Sequence, residues 1–240
     1  LAGGVHLGAS SQQQRGSGLL IPAFFALLLV SASTLYYLHG RMPALFATAL
    51  PPELDYRPLP LSQLPVQSPE YIRLVEVARI LEATRDLRGR DLSNINLSAM
   101  DLRDVDLREA NLANADLSKA NLFRADLRRA NLKRANLQYA DLSESKLKEA
   151  VLVEAAIDKA DLTGADLAGA DLTNANLSRT NLRSAVLEGA NLTGAILVDA
   201  DCSKADASGA YFTGADLTRT TVRETNFRNA LLDRSNLTTT

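Results

Sequence analysis

Residues 120–137 read ANLFRADLRRANLKRANL, and within them Arg124, Arg128, Arg129, Lys133 and Arg134 crowd five cations into eleven positions. Guanidinium and ammonium groups at that density suit phosphate oxygens, so contact with a polyanion is the first chemistry to weigh. Asp or Asn also recurs about every fifth residue over the C-terminal two thirds of the chain, and carboxylate oxygens in numbers raise the second, binding of a hard cation. Nucleophilic and acid–base chemistry has little to work with. Cys202 is the only cysteine, and the only histidines, His6 and His39, stand near the N-terminus. A single cysteine excludes an intramolecular disulfide and a multi-cysteine metal site, and Cys202 reads as a small apolar residue. The long C-terminal region thus has no imidazole for a general base or a metal, no nucleophile motif and no glycine-rich phosphate loop. No catalytic residue, cofactor or metal site is expected, and the chain is not expected to be an enzyme.

Whether the cations and carboxylates form sites depends on the element that carries them. From Leu87 to Leu237 an apolar residue, mostly Leu, returns every five residues without one insertion, giving about 31 repeats. Two positions before each stands mostly Ala (Ala110, Ala115, Ala120, Ala125, Ala130, Ala135), one before it Asp or Asn, and the two that follow are polar or variable. An α-helix cannot use this pattern, because at 100° per residue a step of five scatters Leu around the axis. A flat strand cannot either: Ala and Leu share a face, but the in–out alternation slips once per repeat. A slip every fifth residue is a bend every fifth residue, and bends of one hand wind the chain into a coil with Leu and Ala inside.

The motif A-[DN]-L-x-x, as in ANLANADLSKANLFRADL and the rest of residues 87–237, resembles the pentapeptide-repeat family over nearly two thirds of the chain. The resemblance implies an all-β solenoid, a right-handed quadrilateral parallel β-helix with four repeats per coil. At about 4.8 Å per coil the repeats would make a rod of roughly 37 Å. Four repeats per coil stack residues 20 apart. Leu92, Leu112, Leu132, Leu152, Leu172, Leu192, Phe212 and Leu232 then form one apolar column, and the substitutions at other centres (Ile157, Cys202, Ala207, Val222, Phe227) keep the interior dry.

The same stacking sorts the candidate sites. Asp and Asn fall at the outward position before each Leu, spread over four faces, so they read as part of the repeat and not as metal ligands. The sequons at Asn96, Asn176, Asn191 and Asn236 arise wherever Ser or Thr follows Leu, so no glycosylation is expected. Arg88, Arg108, Arg128 and Lys148 share an outward column, with Arg129 beside it, Lys133 and Arg134 round the next corner, and Asp86, Asp106 and Asp126 in the adjacent column. An ion-pair ladder is expected there, serving at most to dock an acidic protein surface or lipid headgroups. A second docking candidate is apolar: Val151, Ala156, Val186, Ile196, Tyr211 and Leu231 replace the outward Asp or Asn, with Val153 outward beside Val151. The docking residues expected are Arg108, Arg124, Arg128, Arg129, Lys133, Arg134, Val151, Val153, Tyr211 and Leu231.

The remainder of the chain divides into a polar tail (1–18), an uncharged stretch (19–38), a proline-rich linker (39–68), an amphipathic helix (69–84) and the β-helix (85–240). Residues 19–38, LLIPAFFALLLVSASTLYYL, would span about 30 Å as a helix. They read as a transmembrane anchor with Leu20, Phe24, Phe25 and Leu28 in the apolar body and Tyr36 and Tyr37 at an interface; a cleaved signal sequence is the alternative. Prolines at 43, 51, 52, 58, 60 and 65 predict an extended, semi-rigid spacer. Ser68, Pro69 and Glu70 signal a helix start, followed at helical spacing by Tyr71, Leu74, Val75, Ala78 and Leu81. Arg85, Arg90, Ile95, Met100 and Val105 occupy the Ala position of the first repeats, too large for a tight interior, so this helix is expected to cap that end. With no second cap at the other end, a partner or a second copy is expected to cover the last coil.

The net charge of −2 argues against a nucleic-acid partner, which calls for a basic excess. The function expected is a non-enzymatic, single-pass, membrane-anchored scaffold subunit of a larger membrane protein complex. The resemblance, to a family abundant in cyanobacteria and in the thylakoid lumen of chloroplasts, implies a photosynthetic membrane, a photosystem complex as partner and a lumenal β-helix. The alternative it implies is a duplex-DNA mimic binding DNA gyrase, which would need an acidic rod.

Overall fold

The computed structural model describes residues 69–238, all within the second of the two units into which the chain divides, Pro65–Thr240. Helix α1 runs Pro69–Ala83, with proline at the first position, where its missing N–H would find no intrahelical acceptor. From Asp86 the backbone repeats every five residues as a bridge residue, a central apolar residue, a two-residue turn and an inward small residue. Parallel bridges join residue i to i+20, from Asp86↔Asp106 to Asp216↔Asn236. Four repeats therefore close one coil, and the quadrilateral β-helix is the observed fold. Its first face carries Leu87 and every twentieth residue after it, the second Leu92, the third Leu97 and the fourth Leu102.

Every bridge satisfies backbone groups in both directions. The Leu107 N–H donates to the Asp126 carbonyl of the next coil at 2.8 Å, and the Asp106 N–H to the Arg85 carbonyl of the preceding coil at 2.9 Å. From Met100 onward each corner closes by a turn hydrogen bond, as in Ala110 N–H to the Leu107 carbonyl at 3.0 Å. The second turn residue takes a positive φ in every repeat from Gly89 (61°) to Arg234 (58°), the type II signature. Glycine fills some of these corners, such as Gly194, and no Val, Ile or Thr stands at any of them, since a branched Cβ crowds the left-handed region most.

The preference for Asp or Asn before the central Leu has a local cause. Its Oδ1 accepts the backbone N–H two residues on, as in Ser118 N–H to Asp116 at 3.0 Å and Phe123 N–H to Asn121 at 3.1 Å, a side-chain mimic of a turn. Asn adds a rung between coils: the Asn111 amide donates to Asp91 and the Asn131 amide to Asn111, both at 3.0 Å.

The core is the stacked Leu and Ala from Leu87 to Leu217, with Phe212 the largest member and set edge-on to Phe227 at 5.8 Å. Three hydroxyls interrupt it at Ala positions. Thr180 donates to the Ile157 carbonyl at 3.0 Å and Thr220 to the Leu197 carbonyl at 2.8 Å; the buried Ser145 hydroxyl has no partner among the described residues. Cys202 is buried, and burial, with the Asp201 charge second, pushes its thiol up to about 12.

The N-terminal end corrects part of the sequence reading. Ile95 and Val105 do fit inside the first coil, at 1% and 0% exposure. α1 packs on that end through Val77, Ile80 and Leu81 together with Met100, and the helical pattern overlooked Val77 and Ile80. Arg73 of α1 donates to the Asp91 and Ser93 carbonyls at 2.8 and 3.1 Å, satisfying edge acceptors that no preceding coil meets. Arg90 stays outside and pairs with Glu76 at 3.2 Å. In the last coil Val222, Phe227 and Leu232 are only partly covered, and Leu237 is half exposed. The tail, the anchor residues Leu20, Phe24, Phe25, Leu28, Tyr36 and Tyr37, the linker and both histidines lie outside the described residues. Among the described residues no helix is long and apolar enough to cross a membrane.

Candidate protein-docking faces

The cations of the opening cluster divide among three places on the rod. Arg108 and Arg128 lie on the first face with Arg129 at its corner, Lys133 and Arg134 belong to the second, and Arg124 stands at the corner of the fourth. On the first face Arg88, Arg108 and Arg128 each fold back onto the carboxylate two residues earlier through two parallel hydrogen bonds. Arg108 reaches Asp106 at 2.9 and 2.6 Å, Arg128 reaches Asp126 at 2.8 and 2.6 Å, and Arg88 holds Asp86 in the same way. The corner arginines pair along the rod with the next coil, Arg129 to Glu149 at 2.8 Å and Arg134 to Glu154 at 2.6 Å. Arg124 lies 3.6 Å from Asp104.

These pairs set the titration of the ladder. The Arg88 guanidinium and backbone N–H hold the Asp86 carboxyl down to about 2, and Arg103 does the same for Asp101. Asp106 is lowered chiefly by Arg108. At Asp126 burial pulls upward, but the bonds from Arg128 outweigh it and the net shift is downward. With every arginine of the cluster engaged, the ladder is a mixed-charge surface and not a phosphate track. The groove between its ridges, about 310 Å³ and lined by Arg108, Glu109, Arg128, Arg129, Lys148 and Glu149, alternates in sign. Lys133 is the exception: among the described residues it makes no ion pair and only helps the Arg134 guanidinium lower Glu154.

The apolar candidates concentrate on the second face. Val151, Tyr211 and Leu231 share its outward column, at 37%, 46% and 46% exposure, and Val153 sits in the column beside it. Ile196, at 42%, is on the third face. At Val151, Ile196, Tyr211 and Leu231 the chain gives up the carboxylate or amide that caps the N–H two residues on, and the core beneath gains nothing. Between Glu154 and Asp233 the second face presents Asp171 as its one charge. The sequence reading named Lys133, Val151, Val153, Tyr211 and Leu231 as candidates but not the exposed Asp233, which the 20-residue stacking places in the Lys133 column. It also missed the ridge on the third face where the Lys159 ammonium donates to the Tyr139 hydroxyl at 2.6 Å and lies over its ring at 4.7 Å. No group of His, Cys, Asp or Glu among the described residues is arranged to hold a metal.

The pattern "Pentapeptide repeats (8 copies)" matches residues 91–129, 125–164, 160–197 and 195–238, well over half of the chain. This chain belongs to the pentapeptide-repeat family. Among solved structures it is similar to a trypsin-treated form of QnrB1, a plasmid-mediated fluoroquinolone resistance protein, at 25% identity and a TM-score of 0.58, over 64% of this chain and 78% of that one. It is similar to HetL, a pentapeptide repeat protein involved in heterocyst differentiation regulation from the cyanobacterium Nostoc sp. strain PCC 7120, at 28% identity, TM-score 0.30, over 69% and 92%. It is also similar to a pentapeptide repeat protein from the Arabidopsis thaliana thylakoid lumen, at 34% identity, TM-score 0.30, over 42% and 66%. No curated protein matches the sequence. Pentapeptide-repeat proteins are generally non-enzymatic.

Proposed function

We propose that this pentapeptide-repeat protein is a membrane-anchored scaffold whose β-helix holds protein partners in a membrane complex. The observation that carries the reading is the exchange of turn-capping Asp or Asn for exposed Val151, Ile196, Tyr211 and Leu231. Each exchange forfeits a hydrogen bond on a rod whose core is already closed, so the fold draws no benefit from it. A rod with a continuous ladder presents such residues at fixed spacing, which suits docking of a rigid partner surface. The uncharged stretch 19–38 supplies the anchor and the prolines of 39–68 the spacer in this reading. The family's habitat favours a photosynthetic membrane and a photosystem complex, with the β-helix on the lumenal side. Its test is isolation of the tagged full chain from native membranes in mild detergent. Co-migrating membrane proteins that are lost on Ile196→Asp support the scaffold, and a chain that migrates alone overturns it.

The likeness to QnrB1 favours one other reading, a gyrase-directed DNA mimic. Such mimicry needs negative charge at phosphate spacing, whereas here Asp86, Asp101, Asp106 and Asp126 are each held by an arginine. A gyrase supercoiling assay separates the two, with no protection or inhibition expected.

A further inference from the structure

We infer that the second face pairs with the second face of another copy of this chain, the two rods antiparallel about a two-fold axis lying between the coils of Leu172 and Leu192. This names one occupant for the apolar strip and rests on the reading of that strip as a docking surface. An in-plane two-fold perpendicular to the rod reverses the order of the coils but keeps each column opposite itself. The pairings are therefore fixed by the 20-residue register. Val151 of one copy meets Tyr211 of the other, and Val153 meets Thr213. Asp171 meets Asn191, an acceptor against an amide.

The charges at the rim decide the register. Lys133 lies opposite Asp233, and both are without an ion pair among the described residues, although the remaining cations of the opening cluster have carboxylate partners. Each pairing occurs twice in an isologous dimer. Moving the axis by half a step toward the C-terminus brings Val151 onto Leu231, but it sets Tyr211 against Asp171, buries Asp233 on Val153 and leaves Lys133 with no carboxylate opposite. Half a step the other way sets Asp171 against its own copy and Lys133 against Thr213. Only the intermediate position combines an apolar pairing, Val151 with Tyr211, with a cation facing an anion, Lys133 with Asp233. Its one like-charged juxtaposition, Arg134 against Arg234 at the corner, is offset by Glu154, bound to Arg134 at 2.6 Å. Asn131 falls opposite Leu231 with its amide already engaged by Asn111 and its oxygen by the Lys133 N–H.

The face sets the strength of the contact. Six coils at about 4.8 Å by three residues at about 3.3 Å give a footprint of roughly 290 Å². Stable dimers bury about 800 Å² per partner, so association is weak and concentration-dependent, sustained by desolvated Tyr211 and the paired rim charges.

The experiment is sedimentation of the full chain in mild detergent over a concentration series, with carbodiimide cross-linking read by mass spectrometry. The expected result is a monomer–dimer equilibrium and an intermolecular Lys133–Asp233 cross-link. Lys133→Glu should weaken the dimer about tenfold by placing like charges together twice, and adding Asp233→Lys to it should restore the equilibrium. Both residues are exposed, so neither change endangers folding. A monomer at every concentration, self-association indifferent to Lys133→Glu, failure of the double variant to recover, or a foreign protein cross-linked to Lys133 in place of Asp233 each overturns the dimer. Capture of membrane partners through Ile196 on the third face is scored separately, so the scaffold reading can stand when the dimer falls.

Discussion

Ser145 occupies a position that Ala fills at 110, 115, 120 and many other repeats, and its buried hydroxyl has no acceptor among the described residues. A stranded polar group costs about 1–3 kcal/mol, so Ser145→Ala should raise stability by about 1 kcal/mol in chemical denaturation. Thr180 has the same location but donates to the Ile157 carbonyl. Thr180→Val should therefore lower stability by about 0.5–1.5 kcal/mol, the ordinary net value of one hydrogen bond. The opposite signs test whether partnering, and not polarity as such, decides the outcome. The carboxylates of the ladder give a second residue-scale prediction. Asp86, Asp101, Asp106 and Asp126 have folded pKa values below the ordinary 3.8, with Asp86 and Asp101 at about 2. A depressed carboxyl contributes stability that is fully present above its unfolded pKa and lost as pH falls through its folded pKa. The thermal midpoint should be insensitive to these groups above about pH 5 and fall between about pH 4 and 2. Molar salt should shrink that fall, since the pairs are largely exposed.

The repeating corner is the element whose demands the sequence states most compactly. A left-handed second turn residue costs an L-residue about 1–2 kcal/mol, and the chain meets this by excluding β-branched residues from those corners. Ser184, exposed at φ 57° with no side-chain partner among the described residues, isolates the effect. Ser184→Gly should be at least as stable as the parent and Ser184→Val less stable, the two variants differing by about 1–2 kcal/mol in thermal unfolding. The period of five was enough to exclude helix and flat strand and to place Leu and Ala inside, because the in–out slip is a property of the repeat alone. The number of sides was not legible in the residues. Four repeats per coil came with the family resemblance, and everything 20 apart depends on it, including the pairs Arg129–Glu149 and Arg134–Glu154. The bonds from Asp and Asn to the second N–H onward were hidden because a turn cap and a solvated carboxylate look alike in sequence. In α1 the apolar spacing fitted Ala78 as well as it would fit Val77 and Ile80, which pack on the core together with Leu81. What selects the packed face is where the open coil meets the helix, which Arg73 fixes through the Asp91 and Ser93 carbonyls.

At the scale of the whole molecule the register i↔i+20 makes the rod a one-dimensional stack in which each coil touches only its neighbours. A length change is then tolerated according to its remainder on division by twenty. Deleting residues 158–177 removes one full coil, leaving Leu, Ala and the turns of both sides in phase, and every surviving column keeps its face. That variant should fold, shortened by about 4.8 Å, with the parent circular dichroism and a scattering profile of a shorter rod. Deleting residues 158–162 removes one repeat. The core accepts this too, because any Leu stacks on any other, but every downstream face turns by a quarter. Val151 and Tyr211 then leave their common column, and Lys133 and Asp233 leave theirs. The two deletions should melt cooperatively within a few degrees of each other, yet only the shorter one should abolish capture of a partner that spans coils on one face. A five-residue deletion that unfolds the rod would show that the faces differ in the core as well as outside. Replacing Leu132 with Asp, by contrast, should unfold the middle coils in either background. A charge there enters a column with no polar partner, and its cost exceeds the roughly 1.5–3 kcal/mol each neighbouring leucine contributes by burial.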